Sequence, residues 1–192
     1  MSRRIEILRR ATELFERQGV ANTSMEDIAK EVGIKREAIY YYFKSRPDIL
    51  LTIILPQSKT LLLGLRNILR TDMSSREKLK AAFENHLNSF NPTYLEMTIA
   101  LREHHFFKDT QKLDELRRMW KEYGELFTEM IGEGQARGEF KPQLNSKMIA
   151  FGILGMCNWM ARWYDPEGEV SVEDVVETYF SMTVNGLLSG AG

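Results

Sequence analysis

The sequence predicts an all-α protein of about nine helices, in two domains at residues 1–47 and 48–192. Apolar residues recur three and four positions apart through most of the 192 residues, which is the period of an amphipathic helix. No stretch alternates between apolar and polar side chains for long enough to form a β-strand. Serine, threonine and asparagine stand where helices would begin, and glycine stands where several would end.

The composition is that of a globular protein with a sizeable core, since 43% of the residues are hydrophobic and 28% are charged. The single cysteine, Cys157, excludes a framework of disulfides within the chain and suits a reducing compartment. The N-terminus lacks the apolar run of a signal peptide, and no stretch approaches the ~18 uninterrupted apolar residues of a membrane span. We therefore expect a cytoplasmic protein with no membrane partner.

The charge is distributed slightly unevenly along the chain. Residues 1–48 hold ten Lys and Arg against eight Asp and Glu, whereas the remaining residues hold sixteen against nineteen. The net charge of −1 argues against a protein that is coated in nucleic acid. The asymmetry instead predicts a local basic patch near the N-terminus.

The first helix is predicted from Arg3 to Gln18, and Gly19 ends it. Its apolar face would cover the next two helices, because two short helices cannot enclose a core alone. The residues expected on this face are Ile5, Leu8, Ala11, Thr12 and Phe15, with Ile7 and Leu14 widening the stripe.

Residues 23–43 have the spacing of two short helices joined by a sharp turn. Thr23 or Ser24 would cap the first helix. Gly33 stands where the backbone must reverse, and glycine adopts the left-handed conformation without a side-chain penalty. The expected inner faces are Ile28, Ala29 and Val32 on the first helix, and Ile39 and Phe43 on the second.

Two cations, Lys35 and Arg36, stand at the start of the second helix, where the helix dipole disfavours positive charge. A polyanion outside the protein would explain them. This is the arrangement of a helix-turn-helix, whose second helix enters the DNA major groove. From the pattern alone, an ordinary helical corner remains the alternative.

The segment from Arg3 to Leu51 resembles the DNA-binding domain of the TetR family of transcriptional regulators. The family usually has a serine where Lys35 stands, and lysine cannot accept a hydrogen bond from the first backbone N–H groups of the helix. We therefore expect a frayed helix start or a phosphate that completes the cap. The matching residues are Ile7, Ala11, Leu14, Phe15, Gly19, Thr23, Ile28, Ala29, Gly33, Ile39, Tyr40, Tyr41, Phe43, Lys44, Asp48 and Leu50.

The resemblance implies which side chains face DNA. We expect Arg36 to read a guanine and Ala38 to touch a thymine methyl group. The expected phosphate contacts are Thr23, Ser24, Lys44 and Arg46. The other residues expected on the DNA-facing surface are Lys35, Tyr40, Tyr41 and Tyr42.

Beyond residue 48 the pattern stays helical. Ser45 would cap a fourth helix that continues to about Arg70 and is kinked by Pro56. Five further helices are predicted at about residues 75–90, 92–102, 109–137, 146–164 and 172–188.

The last two predicted helices carry apolar residues on too many sides for surface helices of a monomer. A twofold homodimer through these two helices would bury them. The alternative is that both are well-enclosed core helices. Dimerisation through two C-terminal helices is also what the family resemblance implies.

The sequence gives no support for catalysis, so we expect no enzyme activity, no catalytic residues and no cofactor. His104 and His105 are adjacent and would point about 100° apart on a helix, which makes them poor metal co-ligands. No phosphate-binding or dinucleotide glycine motif occurs. Cys157 lies in an apolar helix and is expected to be an inert buried thiol.

Aromatic, methionine and a few polar side chains cluster in the middle helices. Such residues form either plain core or a ligand pocket, and the family resemblance favours a pocket. Arg162, expected to be buried, would need an anionic partner. The expected effector-binding residues are His86, Phe90, Tyr94, Met97, His104, Trp120, Tyr123, Phe127, Asn158, Trp159 and Arg162.

Residues 158–174 resemble the junction of the last two helices in TetR regulators that sense acyl thioesters of coenzyme A. The resemblance thus implies a repressor that binds a palindromic operator as a homodimer and is released by a small hydrophobic or amphiphilic effector, with an acyl-CoA as the first candidate. An effector-dependent activator, or a helical ligand carrier that does not bind DNA, remains an alternative.

Overall fold

A computed structural model describes residues 2–87, 111–165 and 167–187. Within these ranges the protein consists of α-helices and one short 3-10 turn, so the all-α prediction is confirmed. The helices are α1 (Arg3–Gln18), α2 (Met25–Val32), α3 (Arg36–Ile39), α4 (Arg46–Leu69), α5 (Ser75–Leu87), α6 (Gln111–Ala136), α7 (Ser146–Trp159) and α8 (Val172–Leu187). The helix predicted at residues 92–102 lies outside the described residues.

The chain forms two compact units, and the division falls within α4. The first unit holds the chain up to Gln57 together with the start of α6, as far as Leu116. The second begins at Ser58 and resumes at Arg117. The domain boundary predicted at residue 48 falls earlier than this division and stays a prediction.

α1 is capped at its start by Ser2, whose hydroxyl accepts the Ile5 N–H, and at its end by Gly19, which has φ of 81°. Its inner face is rotated from the predicted one, because Ile5 is 54% exposed whereas Ile7 is completely buried. At about 100° per residue, Ile5 lies on the side of the helix away from its buried residues. The fully or nearly buried residues of α1 are Ile7, Ala11, Leu14 and Phe15.

α4 is long and apolar enough to cross a membrane by length and composition alone. Ile49, Leu50 and Leu65 are nevertheless fully buried in the protein, as in the core helix of a soluble domain. Pro56 lies inside the helix as predicted, and the helix continues past it to Leu69. The ammonium group of Lys78 donates to the Leu69 carbonyl at 2.9 Å and so satisfies one of the free carbonyls at the C-terminal end of α4.

The second unit packs α5, α6, α7 and α8 around aromatic side chains. Phe83, Phe127 and Phe140 are almost completely buried. Phe140 lies against Gly134, where an added Cβ would come within 2.3 Å of its ring. The Glu139 carboxylate accepts the Ser75 N–H at 2.8 Å and thereby caps α5.

α7 is shorter than the helix predicted at residues 146–164. Asn145 caps it as predicted, with its side chain accepting the Met148 N–H. At Met160 the backbone changes to a 3-10 turn that ends at Arg162. The change of hydrogen-bond pattern rotates the residues that follow it relative to an uninterrupted α-helix.

Candidate functional sites

The turn between α2 and α3 is fixed by its backbone. Gly33 adopts a left-handed conformation with φ of 72° and ψ of 33°. The Ile34 N–H then donates to the Ala29 carbonyl at 3.0 Å and satisfies the end of α2. The predicted helix-turn-helix is therefore present, with Ala29 and Ile28 buried where the helices meet.

α3 is only four residues long, and its outer surface is polar and aromatic. Lys35 occupies the N-cap position and provides no side-chain hydrogen bond to the helix, as predicted. Ile39 and Phe43 are buried beneath the helix, so the opposite side is the one presented to solvent. Tyr41 is 86% exposed, although tyrosine usually hides much of its ring. The exposed residues of this surface are Lys35, Arg36, Glu37, Ala38, Tyr40, Tyr41 and Lys44.

The Arg36 side chain lies along α3. Its guanidinium carbon is 5.9 Å from the centre of the Tyr40 ring, and its Nη2 donates to the Tyr40 hydroxyl at 3.4 Å. This hydrogen bond raises the pKa of Arg36 above its usual value. The group is thus a permanent cation, held at the surface by a partner that leaves most of its donors unused.

Two of the predicted phosphate contacts have structural roles here. Thr23 is 1% exposed, and its hydroxyl donates to the Gly19 carbonyl at 2.8 Å. Arg46 Nη1 donates to the carbonyls of Val20 and Thr23, at 3.1 and 3.0 Å. Both side chains hold the loop between α1 and α2 in place, and their predicted contacts with DNA phosphates stay predictions.

Ser24 is exposed and forms a capping box with Asp27. The Asp27 N–H donates to the Ser24 hydroxyl at 3.1 Å, and the Ser24 N–H donates to the Asp27 carboxylate at 2.8 Å. The hydrogen bonds from Ser24 lower the pKa of Asp27. The predicted cap is therefore confirmed, whereas a phosphate contact by Ser24 stays a prediction.

Asp48 connects three segments of the first unit. Its carboxylate accepts the Lys44 N–H at 3.1 Å and the Lys112 ammonium at 2.5 Å. Lys112 also donates to the Thr52 hydroxyl at 3.0 Å. Burial raises the pKa of Asp48, but these hydrogen bonds outweigh it and leave the pKa below its ordinary value. No feature of the sequence pointed to Lys112, which lies 64 positions from Asp48.

The interior of the second unit contains polar groups among the aromatic ones. His86 Nδ1 lies 3.1 Å from the Tyr123 hydroxyl, and His86 also hydrogen-bonds with Asn158. Burial lowers the pKa of His86 to about 4, although the bond with Asn158 opposes this shift. Burial likewise raises the pKa of Cys157 to about 12, as an inert thiol requires.

The predicted effector-binding residues therefore divide into groups. His86, Tyr123 and Asn158 form one hydrogen-bonded cluster, and Phe127 is buried while Trp120 is half-buried. Arg162 is exposed, so the argument from a buried charge does not apply to it, and Trp159 is 64% exposed. Four predicted residues lie outside the described part of the chain: Phe90, Tyr94, Met97 and His104.

The last two helices expose large apolar side chains. Met148 is 75% exposed and Phe151 is 56% exposed on α7, and Met182 is 62% exposed on α8. Together with Trp159 these residues give both helices an apolar surface that the single chain does not cover. Such a surface is typical of an interface with another protein.

Among the residues that the structure describes, no group of three or more His, Cys, Asp or Glu is arranged to hold a metal ion.

Two family models match the chain. The model "Bacterial regulatory proteins, tetR family" matches residues 7–53, and the model "Tetracyclin repressor-like, C-terminal domain" matches residues 72–187. The chain belongs to the TetR family. It is thus a DNA-binding transcriptional regulator, and regulators of this family act as dimers.

Individual TetR regulators are similar over nearly the whole chain. The transcriptional repressor KstR2 of Mycolicibacterium smegmatis is 27% identical over 192 residues, which cover 100% of this chain and 93% of the relative. The structure of the ketosteroid regulator KstR2 of Mycobacterium tuberculosis has the same fold, with a TM-score of 0.85, 20% identity, and coverage of 98% and 96%. The regulator AibR, solved with isovaleryl coenzyme A and operator DNA, has a TM-score of 0.78, 20% identity, and coverage of 94% and 97%.

Proposed function

We propose that this TetR regulator is a repressor that reads a palindromic operator with α3. The observation that carries the proposal is the surface of α3, where two cations and Tyr41 are exposed on a helix with no side-chain cap. A phosphate beside Lys35 would satisfy the open backbone N–H groups of α3. Arg36, which has unused donors, is the proposed guanine reader.

The proposed set of residues that contact the operator is smaller than the set predicted from the sequence. Arg36 and Ala38 would read base edges, while Ser24, Lys35 and Lys44 would contact phosphates. Tyr40, Tyr41 and Tyr42 would contribute hydroxyl groups and packing along the DNA backbone. Thr23 and Arg46 would instead hold the loop before α2 in place.

We propose that the apolar surfaces of α7 and α8 form the homodimer interface. Met148, Phe151 and Met182 would be buried against a second copy of the chain. A twofold dimer would then place two α3 helices one turn of DNA apart, roughly 34–36 Å. Analytical ultracentrifugation at micromolar concentration tests this, since a monomer would contradict the interface.

We propose that the effector is an amphiphilic acyl thioester that enters the second unit and disfavours the DNA-binding state. The apolar interior around Phe127 suits an acyl chain, and the solved complex of the similar regulator AibR contains isovaleryl coenzyme A and operator DNA. A coupling free energy of about 1–3 kcal/mol would weaken operator binding roughly 5–150-fold.

Selection from random DNA duplexes tests the DNA-binding proposal. The full chain should enrich a palindrome, whereas a ligand carrier without DNA binding would enrich nothing. With the enriched duplex, Lys44→Ala should reduce the slope of log affinity against log salt by about 1. Lys121→Ala, at an exposed position on α6, is the matched control and should leave the slope unchanged.

A reporter assay separates repression from activation. A promoter that carries the enriched operator should be less active when the chain is present and should recover when an acyl-CoA is supplied. Higher activity in the presence of the chain would identify an activator and overturn the repressor part of the proposal.

A further inference from the structure

A series of hydrogen bonds joins four polar side chains of the second unit, of which one is buried and three are half-buried. We call its four side chains, Asn85, Tyr123, His86 and Asn158, the polar relay. It starts at α4, where Asn85 Nδ2 donates to the Leu61 carbonyl at 3.1 Å. It then passes through Tyr123 on α6 and His86 on α5, and it ends at Asn158 on α7.

Each side chain of the polar relay donates a hydrogen bond to the next one, from Asn85 towards Asn158. Burial raises the pKa of the Tyr123 phenol, and Asn85 opposes this shift in part by donating to the Tyr123 hydroxyl. The single Tyr123 proton is then directed to His86 Nδ1 at 3.1 Å. His86 therefore carries its own proton on Nε2 and donates it to the Asn158 side-chain carbonyl, a tautomer that is assigned from the network.

α4 is shaped to admit the start of the polar relay. At Gly64 an added Cβ would lie 1.9 Å from Asn85 Oδ1, so any larger residue would displace Asn85. Asn85 thus fits closely against α4, the helix whose N-terminal part belongs to the first unit.

The polar relay contains no charged group. The His86 ring is neutral near pH 7, since its pKa lies at about 4, and the other three side chains of the polar relay are neutral as well. A carboxylate brought among these side chains would lose part of its hydration without gaining a cation, which is unfavourable. An uncharged oxygen can accept the His86 Nε2 proton in place of the Asn158 carbonyl at little penalty.

We infer that the polar relay reads an uncharged oxygen of the effector, a carbonyl or hydroxyl group, by donating the His86 Nε2–H to it. The inference rests on the proposed function, because it specifies which part of an amphiphilic effector lies in the interior. The thioester carbonyl of an acyl-CoA has this chemistry. Displacement of Asn158 releases the α7 end of the polar relay, while Asn85 keeps the other end on α4.

Calorimetry with three matched probes tests the inference on the full chain. The probes are octanoyl-CoA, its S-octyl thioether analogue without the carbonyl oxygen, and octanoate. One neutral hydrogen bond is worth about 0.5–1.5 kcal/mol, so the thioester should bind roughly 2–12-fold tighter than the thioether. Octanoate should bind more weakly than the thioester.

Tyr123→Phe provides the decisive variant, because it removes only the hydroxyl group and keeps the ring. Without that partner the His86 proton is no longer fixed on Nε2, and the preference for thioester over thioether should fall to nearly one. Tyr179→Phe, which removes a half-buried hydroxyl group from α8 outside the polar relay, should retain the preference. Circular dichroism checks that both variants are folded.

The outcomes separate this inference from the proposed function. Equal affinity of the wild type for thioester and thioether would overturn the inference and leave the acyl-CoA proposal standing. Octanoate that binds as tightly as octanoyl-CoA would also overturn it, because the site would then read an anion. If neither CoA compound binds, both the acyl-CoA class and the inference fail, whereas operator selection reports on DNA binding independently.

Discussion

α2 and α3 are neighbours in the helix-turn-helix, but α2 is capped at both ends whereas α3 has no side-chain cap. α2 has a capping box at Ser24 and Asp27, four buried residues over eight positions, and a left-handed glycine at its end. α3 has four residues, one buried side chain and no side-chain cap. The sequence around α2 is therefore sufficient to specify a helix, whereas the sequence around α3 is not.

The difference shows what each helix is for. α2 supports the hairpin through contacts within the protein, and it would keep its shape without a ligand. α3 leaves its N-terminal backbone N–H groups and the Arg36 guanidinium facing outward, where an anionic partner would complete them. Unsatisfied N–H groups and an exposed cation at the start of α3 are what a DNA-binding helix would present to a phosphate backbone. The following substitutions test that interpretation.

The largest expected effect is on α3. Arg36→Ala should weaken binding to the operator roughly 5–150-fold and leave binding to random DNA nearly unchanged, since a lost guanine contact removes specificity. Fluorescence anisotropy with both duplexes measures this. Glu37→Ala, at the next exposed position, is the control and should not reduce operator affinity. Equal losses of Arg36→Ala on both duplexes would make Arg36 a phosphate contact.

Gly33→Ala should destabilise the protein by roughly 1 kcal/mol, because an alanine at φ of 72° is strained even though nothing lies within 4 Å of its Cβ. Gly132→Ala on α6 is the matched control, since it also has open space but normal helical backbone. That change should stabilise the protein by roughly 0.5–1 kcal/mol. Urea unfolding measures both, and equal effects would contradict the role of the turn.

Lys35→Ser should stabilise α3 by supplying its missing cap. Lys35 already has the extended backbone of an N-cap residue, with φ of −69° and ψ of 147°. A serine there should raise the free energy of unfolding by about 0.5–1 kcal/mol relative to Lys35→Ala, which lacks both cation and cap. Urea unfolding of the two variants isolates the cap. No difference between them would show that α3 is limited by something other than its first turn.

The smallest effect concerns pH and α2. The hydrogen bonds from Ser24 lower the pKa of Asp27 below 3.8, so the folded state favours the ionised carboxylate. Its contribution to stability should be present above pH 3.8 and disappear as the pH falls through the lowered pKa. The advantage in melting temperature of the wild type over Asp27→Asn should therefore shrink between pH 5 and pH 2.5.

Glu26→Gln, in the same turn but outside the capping box, controls for the general effect of acid on the first turn of α2. An advantage of the wild type over Asp27→Asn that stays constant through this pH range would contradict the pairing of Ser24 with the Asp27 carboxylate.

Local signals made the helical fold and the hairpin predictable. Ser24, Gly33 and Asn145 act within a few residues of their own positions, and the structure places each as the sequence indicated. The inner face of α1 was less well predicted, because period alone cannot separate Ile5 from Ile7 at the edge of an apolar stripe.

Contacts that join distant segments could not be predicted from the sequence. Arg46 meets the carbonyl of Val20 26 positions away, and Asn85 meets the carbonyl of Leu61 24 positions away. Backbone carbonyls carry no sequence signature, so a long side chain that binds them looks the same as one that faces DNA. The predicted burial of Arg162 was wrong. Its apolar neighbours in the sequence suggested a buried position, whereas the 3-10 turn leaves it exposed.

If the uncovered apolar surfaces of α7 and α8 join two chains, they also determine how steeply operator occupancy depends on the concentration of the protein. A twofold operator is occupied only by paired chains, so below the concentration at which pairs form, promoter occupancy rises with the square of the number of chains in the cell. Weakening a contact such as Phe151 would therefore shift the dose at which the gene is silenced without touching any residue that meets a base.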